Sequence, residues 1–315
     1  MNSKVKGYIF GAIAAATYGM NPLFALPLYK AGMNTDSVLF FRYLLAIPII
    51  GIMIVARGRN FKLSGVKDVG ALIIMGMLMA ISSLTLFQSY NYMDIGIAST
   101  LLFVYPVLVA LIMWFVYKER ISLLTAICIL VTLGGVALLF KGGDGVSLNL
   151  IGVLFVFASS LSYAIYIVAI NNKRLQKIAT LKITFYVLVF GIFLFATRLL
   201  VNDNLCMPEK FIHWVYILAL AIFPTTISFL CSTLAVQYVG ATVTAILGAL
   251  EPVTALFFGM AIFGERLSLR EWVGVFLIII AVTVIVGSGN IEKYLVRFRK
   301  LFPAIKKHNS SKNNL

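Results

Sequence analysis

The chain has 315 residues, of which 61% are hydrophobic and 12% charged, with a mean hydropathy of +1.01. A soluble domain is nearer half apolar and a quarter charged, so this balance excludes a single large water-soluble core and indicates a polytopic membrane protein. The net charge of +15 would suit a nucleic-acid partner, but the placement of the basic residues along the chain argues against one.

Apolar runs of about 20 residues recur, each long enough to cross roughly 30 Å of hydrocarbon. They predict ten spans, at 5–29, 37–56, 68–90, 95–117, 122–140, 148–171, 180–200, 212–237, 240–264 and 269–287. Lipid cannot satisfy open backbone groups and the runs are too long for barrel strands, so every span is expected as a helix. Lys4 and Lys6 before the first run resemble the start of a signal peptide. The run is long, carries Asn21-Pro22 and has a counterpart beginning at Gly152, so it is read as a retained span.

With ten alternating spans and a cytoplasmic N-terminus, most of the 26 basic residues fall on one side. These are Lys4 and Lys6, the groups at 57–67 and 173–182, and the tail after Gly289. The positive-inside rule then places both termini in the cytoplasm of a plasma (inner) membrane, with the basic tail at 288–315 resting on anionic headgroups. The three cysteines, Cys128, Cys206 and Cys231, have no metal or redox spacing. No cofactor is implied.

The same unit occurs twice. A shift of 146 residues carries Tyr92 onto Tyr238, Pro106-Val107 onto Pro252-Val253, and Glu119-Arg120 onto Glu265-Arg266. A shift of 145 carries Gly7 onto Gly152 and Tyr18 onto Tyr163. The expected architecture is therefore an all-α membrane protein of two five-helix repeats, 5–140 and 148–287, joined by a glycine-rich link at 141–147. Five is odd, so the second repeat enters the membrane inverted. Inverted repeats place a site between two halves that can open alternately to either side.

The pattern Pro106…Lys118-Glu119-Arg120-Ile121-Ser122 and Glu251-Pro252…Gly264-Glu265-Arg266-Leu267-Ser268 resembles the signature closing each repeat of the EamA-type drug/metabolite transporters. Phe41-Arg42-Tyr43 is similar to that family's Arg-Phe pair, and the likeness runs from about residue 7 to 287. Two departures are Lys118, where the family usually has glycine, and Val187, which occupies the shift position of Arg42. The resemblance implies a secondary carrier of small organic solutes, often an exporter of amino acids or related metabolites. Alternatives are a channel-like facilitator, a multidrug efflux carrier, or an intramembrane enzyme.

Glu251 is the only carboxylate well inside any predicted span. An ionised group there costs from about 2.5 to above 10 kcal/mol unless it faces a wet cavity or a partner. It could meet a substrate ammonium, carry a coupling proton, or simply bond backbone freed by Pro252. Pro106 and Pro252 lie mid-span and should open their helices there. A polar and aromatic set accompanies them: Tyr18, Asn21, Gln88, Tyr105, Ser162, Tyr163, Tyr166, Thr225 and Thr226. Tyr105 is the shift partner of Glu251, so the two are expected to face each other. Ser162 and Tyr166, four apart, share a helix face. Each of these is also explained as an interhelical hydrogen bond. Arg42 is expected to snorkel or to pair structurally, with capture of a substrate carboxylate as the alternative.

Glu119, Arg120, Glu265 and Arg266 read as structural turns. Ser122 is a candidate N-cap, and Ser268 with Glu271 fits a capping box. Small-residue runs such as Gly11–Ala16, Gly134-Gly135 and Gly248-Ala249 permit close helix contact. For an enzyme the chain offers little: two histidines in no zinc spacing, no deep aspartate pair and no P-loop.

Overall fold

A computed structural model describes residues 2–63, 65–93, 98, 101–119, 121–139, 149–202, 205–263 and 268–301. Among the described residues the regular structure is entirely helical. The helices are α1 Ser3–Tyr18, α2 Asn21–Lys30, α3 Thr35–Ala56, α4 Val66–Ser89, α5 Tyr105–Tyr117, α6 Leu123–Leu139 and α7 Leu150–Ile170. They continue with α8 Thr180–Asn202, α9 Phe211–Leu220, α10 Ser228–Val239, α11 Ala241–Leu247, α12 Leu250–Phe263 and α13 Leu269–Leu301.

Among the described residues, seven helices or stacked helix pairs are long and apolar enough to cross a membrane. The predicted spans at 95–117 and 122–140 appear as the shorter apolar helices α5 and α6. The last helix does not stop at 287: its backbone continues to Leu301, into the segment read as a tail. The linker at 141–147, Arg120, Glu265 and Arg266 lie outside the described residues, as do residues 302–315.

Three predicted spans are broken rather than continuous. The first breaks between Tyr18 and Asn21, the fourth at Phe103-Val104, and the ninth at Gly248-Ala249. In each case a proline sits in the first turn of the new helix, at Pro22, Pro106 and Pro252. That is where a missing N–H and a fixed φ are tolerated best. The eighth span contains a π-turn, Ala221–Ile227, with Pro224 inside it. A proline cannot donate to the preceding turn, and the wider π register accommodates that gap.

Two helix pairs are packed alike. α1 runs antiparallel to α10: Gly7 lies against Tyr238 and Val239, and Ser228 donates its hydroxyl to the Ala14 carbonyl at 3.0 Å. α7 runs antiparallel to α4: Gly152 lies against Tyr92 and Met93, and Ser159 donates to the Ser82 carbonyl at 2.8 Å. Under the sequence shift Gly7 becomes Gly152, Ala14 becomes Ser159 and Ser82 becomes Ser228. The two contacts therefore join equivalent positions, with the donating hydroxyl on opposite members of the pair. A Cβ at Gly7 would overlap the side chains of Tyr238 and Val239 on the facing helix, whereas one at Gly152 would press on Tyr92 and displace the end of the Met93 side chain. A Cβ at Gly135 of α6 would overlap α13, whereas Gly134 faces open space.

Large apolar side chains such as Ile52, Leu130, Leu154, Phe193 and Phe276 stay exposed on the outside of the bundle. A contiguous apolar exterior of this kind is what lipid covers. Helix ends are capped as their sequences predict. Ser122 accepts from the Thr125 N–H at 3.1 Å. Glu271 accepts from the Ser268 N–H at 2.7 Å and from its hydroxyl at 2.8 Å.

Lys118 ends α5 in the left-handed conformation, φ 55° and ψ 27°, and is the one such non-glycine residue among those described. A Cβ makes that conformation unfavourable by about 1–2 kcal/mol, and glycine relieves it at some cost in chain entropy. Lys118→Gly should therefore raise stability by about 0.5–1 kcal/mol, read as a higher melting temperature in detergent. A lowered melting temperature would show that the lysine makes a compensating contact.

Candidate functional site

The three helix breaks converge. Gly19, at the first break, lies against the Glu251 carbonyl, and a side chain there would overlap it. Gly248, at the ninth-span break, lies beneath the Tyr105 hydroxyl. That hydroxyl donates to the Ala245 carbonyl at 3.1 Å, one of the acceptors released where α11 ends. Loosened backbone at membrane depth is tolerated where protein or water satisfies it, and here a tyrosine does so.

Glu251 sits in the first turn of α12, 8% exposed, and borders two small internal cavities. One, of about 50 Å³, is shared with Tyr18, Gly19, Asn21, Tyr90 and Phe103. The other, of about 10 Å³, is shared with Tyr105, Tyr163, Ser228, Ser232 and Thr244. Tyr105 and Glu251 thus border one cavity, and Asn21 and Glu251 another. The sequence-predicted set does not all gather here. Gln88 accepts from Asn91 at 3.0 Å and borders a cavity nearer the end of the bundle. Ser162 is half-buried and borders none of these cavities. Tyr166 is buried beside Thr233, stacked on Tyr163 with ring centroids 6.2 Å apart.

Arg42 does not snorkel. It is 0% exposed and is held by three acceptors. Its Nε donates to Thr225 Oγ1, one terminal nitrogen donates to Asn21 Oδ1 at 3.0 Å, and the other to the Pro224 carbonyl at 3.2 Å. Phe87 and Phe229 cover its faces, with ring centroids 5.9 and 6.0 Å from the guanidinium carbon. Thr225 in turn donates to the Leu220 carbonyl at 2.8 Å, so the π-turn supplies both the acceptor and its anchor. Tyr18 lies near both Arg42 and Glu251. Among the described residues no carboxylate forms an ion pair with Arg42. Sequence reading missed this network because Pro224 was not singled out and because depth along one span does not reveal what another span brings to it.

Two larger cavities open at the ends of the bundle. One, about 590 Å³, is bordered by Arg59, Lys62, Asp68, Arg174 and Lys182; the other, about 580 Å³, by Tyr29, Asp36, Gln88, Asn91 and Arg198. They are at opposite ends, since Asp36 begins α3 and Arg59 follows its close, about 33 Å away at 1.5 Å per residue. An ion pair joins the two halves of the chain at each mouth. Arg174 meets Asp68 at 2.5 Å, and Arg198 meets Asp36 through two bonds of 2.8 and 3.1 Å.

The profile of the EamA-like transporter family matches residues 5–141 and 150–287. An uncharacterized transporter of Clostridium kluyveri is 25% identical over 295 residues, covering 90% of this chain and 94% of that protein. The uncharacterized transporter YetK of Bacillus subtilis is 26% identical, covering 78% and 76% respectively. A solved structure titled only "Crystal structure of protein" aligns with a TM-score of 0.76 over 92% of this chain and 98% of that one; at 18% identity it speaks to the fold alone.

Removing the guanidinium would leave the Asn21, Thr225 and Pro224 oxygens buried without their donor, at roughly 1–3 kcal/mol for each group left unmet. Arg42→Met should lower stability by about 2–3 kcal/mol after partial relaxation, and Arg42→Lys by less, since an ammonium still donates. Thermal unfolding of purified protein measures both. A methionine variant as stable as the parent would mean that the guanidinium does not hold these helices together.

Proposed function

This chain belongs to the EamA-like transporter family, and on that premise we propose that it is a secondary carrier that moves a small organic solute across the membrane chemically unchanged. The halves, 5–140 and 148–287, act as inverted five-helix repeats that together supply ten spans, with both termini and the 288–315 tail in the cytoplasm of the inner membrane. The reciprocal contacts Ser228–Ala14 and Ser159–Ser82 support the two-fold relation. The odd number of spans per half supplies the inversion.

The placement of the cavities supports an alternating-access reading. The central spaces beside Glu251 are too small for a metabolite, while each end holds a mouth of nearly 600 Å³. Opening the centre to one mouth separates the halves there, and the ion pair at that mouth is what must part. Because Asp36–Arg198 and Asp68–Arg174 sit at opposite ends, one can break while the other holds. Export of an amino acid or related metabolite is the direction and solute class that the reading favours.

Within this mechanism Glu251 is the group that meets a substrate cation or a coupling proton, and Tyr105, across the smaller cavity, shapes its other side. The observation that carries the proposal is a buried carboxylate at a helix break, between the halves, bordering two small cavities. Such a group in a bundle interior is by default a functional one. Pro106 and Pro252 are proposed as the points about which the fourth and ninth spans bend.

Counterflow in proteoliposomes across a pH series tests this. Glu251→Gln keeps the shape and removes the titrating group, so exchange should lose its pH dependence while the protein is made and folded normally. Flux and pH profile both unchanged would remove Glu251 from the mechanism. Flow of solute without saturation or counter-exchange would indicate a channel instead.

A further inference from the structure

The amide of Asn21 has a fixed direction. Arginine has only donors, so the group that Arg42 addresses on Asn21 must be its carbonyl oxygen, and the NH₂ must point the other way. Arg42 cannot turn to accommodate a flipped amide, because its other nitrogens are engaged by Thr225 and by the Pro224 carbonyl. Thr225 is itself fixed, since its hydroxyl hydrogen is committed to the Leu220 carbonyl. The donors therefore run outward from Arg42, to the π-turn on one side and to the Asn21 oxygen on the other.

The donor end of Asn21 is left over. Its Nδ2 is buried and has no hydrogen-bond partner among the described residues, and Asn21 is only 6% exposed. The same residue borders the cavity that Glu251 borders. A buried donor held in place without a partner is a position that calls for an acceptor from outside the described residues.

We infer that Asn21 is the residue that reads an oxygen acceptor on the solute, that Arg42 is the positioning residue that aims it, and that the solute carries this oxygen close to a cationic group directed at Glu251. This rests on the carrier reading above and narrows its substrate class to zwitterions, with the carboxylate of the solute on Asn21 and its ammonium on Glu251. A water molecule would also satisfy the Asn21 donor, and a cavity of about 50 Å³ has room for one. Water alone would not make the protein select among solutes, and that difference is what can be measured.

The probes are amino acids, each paired with its decarboxylated amine, in counterflow with the reconstituted full-length protein. The wild type should exchange at least one amino acid about tenfold or more faster than the matching amine, the mark of a site built to bond the missing group. Asn21→Asp still accepts from Arg42 but has no donor to offer. It should lose most of that preference through slower amino-acid exchange, with amine exchange retained and the melting temperature not lowered. Arg42→Lys offers only donors and should keep the preference. Arg42→Gln can also accept, lets the amide turn over, and should lose it. If Asn21→Asp fails to fold, the lysine and glutamine pair decides the matter. Wild-type preference surviving in Asn21→Asp or in Arg42→Gln would overturn the inference while leaving the carrier reading intact. A wild type that exchanges neither member of any pair would remove both.

Discussion

A buried guanidinium that pairs with no carboxylate among the described residues is the constraint around which this molecule is organised. Arg42 lies on α3, yet its three acceptors come from the start of α2 and from the π-turn between α9 and α10. Taking a cation out of water is tolerable only when its donors are met, and here backbone and neutral side chains meet them. The arrangement works because the π-turn is irregular. Pro224 disturbs the helix ladder and leaves carbonyl groups free to accept from outside the helix. The cation and the defect thus satisfy each other, and neither would be stable at this depth alone.

The two-fold pattern of the sequence provides the scaffold, and its exceptions provide the chemistry. The Ser228–Ala14 and Ser159–Ser82 contacts and the Gly7 and Gly152 approaches obey the repeat. Arg42, Asn21, Pro224 and Thr225 do not: under the shift they become Val187, Tyr166, Leu78 and Met79. Where Arg42 meets the π-turn, its counterpart Val187 packs its backbone closely on Gly76. Glu251 likewise corresponds to Tyr105. The polar residues of the centre thus have aliphatic or aromatic counterparts in the other repeat, so the chemistry there does not follow the repeat.

Much of this was legible from residue order. Hydropathy marks the apolar helices, seven of which, among the described residues, are long and apolar enough to cross a membrane, and Pro106 and Pro252 mark breaks a few residues before them. The caps at Ser122 and Ser268 follow from local chemistry, and the structure shows them. Lys118 was visible as a departure, and its left-handed backbone explains why a glycine would sit there. What could not be read was orientation across spans. Ser162 is as polar as Asn21 and as deep by count, yet it is half-exposed, and Gln88, two residues from the end of its span, faces an end cavity. Counting residues into α3 placed Arg42 within reach of an interface, whereas its burial is decided by a turn about 180 residues later in the chain.

The centre is closed by contacts that cost little to undo. Gly19 against the Glu251 carbonyl and Gly248 beneath the Tyr105 hydroxyl are approaches made possible by missing side chains, and the hydrogen bond from Tyr105 to the Ala245 carbonyl is a single neutral one. The Arg42 network, with three donors engaged and two rings over its faces, is far harder to disrupt. Movement should therefore concentrate where α11 meets α12 and where α1 meets α2, and spare the junction of α3 with the π-turn. Asn21 stands between these regions: its oxygen is bound to Arg42, and the residue borders the cavity beside Glu251. A solute that bridges Asn21 and Glu251 would link the rigid and mobile parts directly, and that link is a physical route by which occupancy could bias which mouth is open.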